Sequence, residues 1–153
     1  MSVEHSTLTG SDLHEPKGIA SANTGQVYIA NGSGSGTWTA HNNKVILNAR
    51  IDDISTGSSA YVVTPIAGTV TKIYSVISAA ITGGDAIVTS KLGSTALTNG
   101  AVTIANGTAA GIPDSATPTA NHTVTAGAVI TLQTDGGSTN TSIGWFTIEI
   151  TPS

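Results

Sequence analysis

The chain has 153 residues, which is enough for one domain with its own core but short for two independent domains. Five basic residues stand against nine acidic ones, for a formal net charge of -4, and no two basic residues are adjacent. This balance argues against a nucleic-acid groove and against a polybasic membrane patch. Cysteine is absent, which excludes disulfides, thiolate chemistry and cysteine-ligated metal sites.

The overall composition predicts an all-β protein. Glycine occurs 18 times and aromatic residues make up only 4% of the chain, whereas Val, Ile and Thr recur in short runs between Gly and Asn. No amino-terminal signal pattern and no membrane-spanning apolar run occur, so we expect a soluble protein that is not classically secreted. With so few large side chains, such a domain is expected to gain stability by self-association.

The first part of the chain, residues 1–43, has no sustained periodicity and is interpreted as an extended arm outside the core. Within it, residues 26–30 and 37–39 are predicted strands, and residues 31–36 are a glycine-rich turn between them. A lone hairpin of this size is marginal in water, so we expect it to become ordered against a neighbouring subunit or another protein.

Residues 44–153 are predicted to form one compact antiparallel β-sandwich or jelly roll. Strict alternation first appears at residues 45–51, with Val45, Leu47, Ala49 and Ile51 on one face. Further strands are predicted at residues 60–66, 68–78, 86–92 and 101–105, the last bracketed by turns at Asn99-Gly100 and Asn106-Gly107.

The carboxyl-terminal part of this domain combines a predicted loop with two further strands. Residues 108–125, which include Pro113 and Pro118, are expected to be a long loop. Alternation resumes at Ala128, Ile130 and Leu132, and the final strand at 143–151 places Phe146, Ile148 and Ile150 on one face and Trp145, Thr147 and Glu149 on the other. About seven short strands with turns between them favour a sandwich or jelly roll over a parallel α/β fold.

No catalytic or cofactor-binding constellation emerges from the polar residues. Asp12, His14 and Glu15 stand in the arm beside Pro16, where docking is favoured over catalysis. Asp52-Asp53 is read as a solvated turn, with a Ca²⁺ site as the alternative. We expect Asp85 and Asp135 to cap turns, and neither His41 nor His122 has a second ligand at metal-binding spacing. We therefore expect no enzyme activity, no cofactor and no metal.

The few aromatic residues are the remaining candidates for recognition. A sugar-stacking platform, interface anchors and ordinary core positions are all open for Tyr28, Trp38, Tyr61, Tyr74 and Trp145. For Trp145, burial in an interface and burial under a second packed sheet are equally supported.

Several segments resemble tailed-bacteriophage virion proteins. LHEPKG at 13–18, GQVYIA at 25–30 and GTWT at 36–39 resemble the amino-terminal segment of such proteins. AGTVTKIY at 67–74, GDA at 84–86, LTNG at 97–100 and SATP at 115–118 resemble small β-sandwich capsid decoration (cement) or head-fibre proteins. The resemblance covers most of the chain.

This resemblance implies a trimeric virion protein that decorates or cements the capsid exterior and assembles in the bacterial host cytoplasm. The implied partners are the major capsid protein and further copies of the chain. No nucleic-acid or membrane partner is implied. The arm would carry the docking contacts, and these are the candidate partner-binding residues: Leu13, His14, Glu15, Pro16, Lys17, Tyr28 and Trp38.

Two other functions are compatible with the sequence. One is a tail-fibre or receptor-binding module in which exposed aromatic residues and the 108–125 loop recognise host glycans. The other is a hydrolase, which would need converging carboxylates from Asp52, Asp53, Asp85, Asp114 or Glu149.

Overall fold

The structure, a computed structural model, describes residues 22–23, 25–33, 36–40 and 43–153. The backbone divides into two units, Met1–Asn42 and Asn43–Ser153, each of which is described by itself. The described elements are all strands: β1 (Gln26–Ala30), β2 (Gly36–Ala40), β3 (Val45–Ile51), β4 (Ser59–Val63), β5 (Gly68–Ile77), β6 (Ala86–Leu92), β7 (Thr95–Ile104), β8 (Asp114–Ala116), β9 (Thr123–Val124), β10 (Val129–Thr134) and β11 (Gly144–Pro152).

In the first unit, β1 and β2 form an antiparallel two-stranded hairpin with Tyr28 directly opposite Trp38. At the start of the connection, the Asn31 side chain accepts a hydrogen bond from the Ser33 N–H at 2.9 Å, and Gly32 has a φ of 74°. Both features are typical of tight turns. The two strands predicted in the arm are therefore confirmed.

The second unit is a jelly roll built from two antiparallel sheets. One sheet has the order β3-β11-β5-β8, with β9 also paired to β5, and the other has the order β4-β10-β6-β7. The antiparallel partners are nested: β3 pairs with β11, β4 with β10, β5 with β8 and β9, and β6 with β7. This is the pairing of one long hairpin folded over into two Greek keys. The predicted antiparallel β-sandwich or jelly roll is confirmed.

The core lies between the two sheets and draws side chains from both. In β11, Phe146, Ile148 and Ile150 are buried, whereas Trp145 on the opposite side is 42% exposed. These are some of the largest other buried side chains: Ile73, Ile77, Val88, Ile104, Ile130 and Leu132. The predicted grouping of Phe146, Ile148 and Ile150 on one face of β11 is confirmed, and the structure shows that this face is the inward one, since alternation places every second side chain in the core.

The predicted turn at Asn99-Gly100 is wrong. β7 runs through both residues, and the turn before it falls at Gly93, which has a φ of 58°. The register of β7 against β6 shifts between Ala96 and Ala101. Within that stretch, Thr98 forms an isolated β-bridge with Ala120, which belongs to a different segment. Asn99 does have a positive φ of 56°, but it uses it in a bulge. An Asn-Gly pair indicates a residue with positive φ, and such residues occur in β-bulges as well as in hairpin turns.

The predicted loop at residues 108–125 is also wrong in part. It contains β8 and β9, which pair antiparallel with β5. These strands have only three and two residues, too short to show alternation, and Pro113 and Pro118 flank β8. Proline is tolerated there because β8 and β9 lie at the edge of their sheet.

Four loops meet at one end of the jelly roll and are held to one another by hydrogen bonds. The Thr139 N–H donates to the Thr82 carbonyl oxygen at 2.9 Å, and the Ile54 N–H donates to the Ser142 carbonyl oxygen at 2.9 Å. The Gly107 N–H donates to the Ile81 carbonyl oxygen at 3.0 Å. We call this the loop end; its segments are 52–58, 78–85, 105–113 and 135–143.

Backbone contact at the loop end requires glycine. A Cβ added at Gly84 would lie 2.5 Å from the Gly137 carbonyl oxygen, and one added at Gly137 would overlap the Asp85 carbonyl oxygen. We predict that Gly84→Ala lowers the free energy of unfolding by about 1–3 kcal/mol, because the backbone cannot yield as a flexible side chain would. Urea denaturation of the full chain measures this.

Gly57→Ala is the matched control, since Gly57 lies in the same group of loops and a Cβ there would meet no atom within 4 Å. Its stability should stay within about 0.5 kcal/mol of the parent or rise slightly. Equal losses in the two variants would contradict the close approach at Gly84.

Candidate interaction surfaces

The predicted docking residues fall into two groups. Leu13, His14, Glu15, Pro16 and Lys17 lie outside the described residues. Tyr28 and Trp38 face each other across the hairpin, with ring centroids 5.3 Å apart and planes at 60°. This edge-to-face geometry is a favourable one for aromatic pairs.

The hairpin also presents apolar side chains on its other face. Val27 is 37% exposed and Ile29 is 52% exposed, and their partners across the strands are Thr39 and Thr37. A two-stranded hairpin gains independent stability only from further packing. The hairpin thus carries apolar or aromatic side chains on both faces.

One part of the outer face of the β4-β10-β6-β7 sheet is apolar. Tyr61 is 69% exposed, Val63 is 60% exposed, and Val129, directly opposite Val63, is 42% exposed. Lys91 is the charged residue on this face, and its Nζ donates to Gln133 Oε1 at 2.5 Å. We call the surface around Tyr61, Val63 and Val129 the apolar face.

The outer face of the other sheet mixes aromatic and polar groups. Trp145 has Arg50 as its neighbour on β3 and Val76 as its neighbour on β5. Two residues further along β11, Thr147 Oγ1 donates a hydrogen bond to Asn48 Oδ1 on β3 at 3.1 Å. The 42% exposure of Trp145 excludes a second sheet packed over its side chain.

A cavity of about 430 Å³ opens at the loop end, between the end of β3 and the start of β4. Its walls include Arg50, Asp52, Asp53, Thr56 and Ser58. Arg50 Nε lies 2.8 Å from Asp52 Oδ1, and both side chains are largely exposed. Sequence reasoning missed this cavity, because it depends on how the 52–58 loop folds between β3 and β4, which side-chain alternation does not show.

Asp53 organises the wall of the cavity. Its Oδ1 accepts hydrogen bonds from the Ser55 hydroxyl at 2.6 Å and from the Ser55 N–H at 2.9 Å, and its Oδ2 accepts one from Thr56 Oγ1 at 3.2 Å. The Ser55 hydroxyl and N–H together hold the pKa of Asp53 below its usual value. These contacts are those of a turn carboxylate, and no group of three or more potential metal-ligating side chains occurs among the described residues.

Of the other predicted turn carboxylates, Asp135 is confirmed as a cap of its own turn, whereas Asp85 caps a turn in a different loop. Asp85 Oδ1 accepts a hydrogen bond from the Asn106 N–H at 2.7 Å, and Asp135 Oδ1 accepts bonds from the N–H groups of Ile87 and Gly137, each at 3.0 Å. Each carboxylate therefore joins segments that are distant in sequence.

The remaining acids and histidines named above occupy separate places. Glu149 on β11 pairs with Lys44 at 2.5 Å, and burial raises the pKa of Asp114 at the start of β8. His122 Nδ1 lies 3.1 Å from the Val70 carbonyl oxygen beside β9. His41 lies outside the described residues.

No protein family matches this chain, and neither curated proteins nor solved structures show significant similarity to it. No helix long and apolar enough to cross a membrane occurs in the described part of the chain.

The lowered pKa of Asp53 predicts a specific loss of stability in acid. Because the folded state holds the carboxylate ionised, the unfolded chain takes up a proton at higher pH than the folded protein does. The contribution is complete above about pH 4, the ordinary Asp value, and is lost as the pH falls toward the lowered folded value. Unfolding midpoints in urea between pH 7 and pH 2.5 should therefore fall less steeply for Asp53→Asn than for the parent.

Asp52→Asn is the control, because it removes the adjacent but more exposed carboxylate. The Ser55 contacts of Asp53 remain in that variant, so the comparison shows whether the change in acid slope belongs to Asp53. An unchanged acid slope in Asp53→Asn would show that Asp53 contributes no such linkage.

Proposed function

We propose that this chain is a virion structural protein that decorates or cements the exterior of a tailed-bacteriophage capsid through its amino-terminal arm. The observation that carries the proposal is the contrast between its two units. A two-stranded hairpin with apolar side chains on both faces precedes a jelly roll that has a complete core of its own. The proposed partners are the major capsid protein and further copies of this chain, assembled in the bacterial host cytoplasm.

The physical argument for attachment rests on avidity. A hairpin with little stability of its own becomes ordered where it docks, and that ordering lowers the affinity of each single contact. A symmetric shell repeats the contact many times, and linked copies convert weak single contacts into tight attachment. The jelly roll fold by itself supports many functions, so the arm carries the proposal.

Within the arm, we assign anchoring to the apolar and aromatic side chains. Tyr28 and Trp38 supply the large rigid surfaces typical of interface hot spots. In the same proposal Leu13 and Pro16 add apolar contact, and His14, Glu15 and Lys17 set the polar register.

Self-association, with a homotrimer as the proposed state, is supported by the apolar face. Tyr61, Val63 and Val129 form a contiguous exposed surface on neighbouring strands, and surfaces of this kind mark protein contacts. Lys91, the charged residue on this face, donates a hydrogen bond to the neutral Gln133 and keeps its positive charge, so the proposed contact centres on Val63 and Val129 and leaves Lys91 in solvent.

We predict that removing residues 1–43 leaves the jelly roll folded but abolishes attachment. Circular dichroism and urea unfolding test folding, and co-sedimentation with capsids that lack this protein tests attachment. In the full chain, Trp38→Ala should weaken attachment at least about tenfold, in the range of an interface hot spot.

The matched control uses the chain's other tryptophan. Trp145→Ala, a change in the jelly roll, should leave capsid attachment unaltered. Normal coating of capsids by the truncated protein would contradict arm-mediated docking.

We predict that Val63→Lys shifts the protein toward monomers, because burying an unpaired ammonium group in an apolar contact is costly. Analytical ultracentrifugation at a fixed concentration measures the change. Ile46→Lys is the control, because Ile46 is 47% exposed on the outer face of the other sheet. This substitution should leave the oligomer intact. A monomeric parent protein, or an equal effect of both variants, would rule out the apolar face as the contact.

A further inference from the structure

Arg50 links the cavity at the loop end to the exposed indole of Trp145, which is not itself one of the residues that line the cavity. Arg50 lines the cavity and is also the direct cross-strand neighbour of Trp145. Directly opposed side chains that point the same way have Cβ atoms about 5 Å apart. We propose that this corner, which we call the Trp145 corner, is a binding site for a neutral saccharide, independent of the arm.

The chemistry of the Trp145 corner fits a sugar ring. A pyranose presents C–H groups on one face and hydroxyls around its edge, so it needs an aromatic surface beside fixed hydrogen-bonding groups. Trp145 supplies an aromatic face with negative potential, and the Arg50 guanidinium and Asp52 carboxylate supply donors and acceptors next to it. The volume of about 430 Å³ is within the range of small-ligand sites.

The charges at this corner select against acidic ligands. The cavity walls carry one cation, Arg50, and two carboxylates, Asp52 and Asp53. The cation is paired with Asp52 at 2.8 Å, and Asp53 adds a further negative charge. A phosphate or a uronic acid would therefore meet a net negative site, whereas a neutral saccharide meets no such repulsion.

The walls of the cavity are held in place before any ligand arrives. Ile54 is fully buried and anchors the 52–58 loop in the core, and its carbonyl oxygen accepts a hydrogen bond from Thr134 Oγ1 at 2.8 Å. Thr134 N–H donates to the Ser58 carbonyl oxygen at 3.0 Å. Binding to such a fixed loop costs little ordering entropy, which favours recognition by a small number of contacts.

The chain offers a direct optical test, because it contains only two tryptophans. In the full-length Trp38→Phe variant, Trp145 is the sole tryptophan and its fluorescence reports on this corner alone. The probes are the neutral hexasaccharides of glucose (α-1,4 and β-1,4), mannose and galactose, with hexagalacturonate as the acidic comparator. We expect a saturable fluorescence change with at least one neutral probe and a weaker response or none with hexagalacturonate.

Isothermal titration calorimetry of full-length variants then assigns the contacts. Trp145→Ala should weaken binding of the responding probe at least tenfold, and Arg50→Gln should also weaken it. Both side chains are exposed, and unfolding curves check that the variants fold. Tyr61→Ala, on the apolar face, and Trp38→Phe should bind as the parent does.

Several results would overturn the proposal. They are the absence of saturable binding to every neutral probe, tighter binding of hexagalacturonate than of any neutral probe, and unchanged binding in both Trp145→Ala and Arg50→Gln. None of these measurements involves a capsid, so their outcome is separate from that of the attachment experiments.

Discussion

The register of β11 is the constraint on which the rest of the jelly roll depends. This strand lies between β3 and β5 and contributes Phe146, the chain's one phenylalanine, to the core. A slip of one residue would exchange Phe146 and Ile148 for Trp145 and Thr147, because alternate side chains point to opposite faces. That exchange would force the larger indole of Trp145 and the polar Thr147 into the positions that Phe146 and Ile148 fill, which would overpack one position and bury a hydroxyl group in an apolar core.

The same register determines what the protein shows to its surroundings. Holding Phe146 inward places Trp145 outward beside Arg50, and it places Glu149 where it can pair with Lys44. The outer face of this sheet therefore mixes Trp145 and Ile46 with polar groups, whereas the opposite sheet presents the apolar face around Val63. Two faces of such different chemistry suit two different contacts, which is consistent with self-association at one and ligand recognition at the other.

Sequence reasoning succeeded where alternation is long and regular. The strands at 45–51 and 86–92 were predicted at their observed bounds, and the inward face of β11 followed from Phe146, Ile148 and Ile150. It failed where pairing is decided by distant partners. The bulge at Asn99 accompanies a bridge from Thr98 to Ala120, and β8 and β9 pair with the edge of β5.

The candidate surfaces divide in the same way. The hairpin of Tyr28 and Trp38 was predictable from two short β-prone runs around a glycine-rich turn. The Trp145 corner was not, because Arg50 and Trp145 become neighbours only through the antiparallel register of β3 and β11.

Attachment to a capsid is the central claim, and electron cryo-microscopy tests it most directly. Capsids of a phage that encodes this chain, assembled without it, would be incubated with the full-length protein and imaged. The account predicts jelly-roll density at symmetry-related positions on the capsid exterior, joined to the shell by residues that precede β3. Bare capsids, density confined to the tail, or a shell contact made by the jelly roll alone would contradict it.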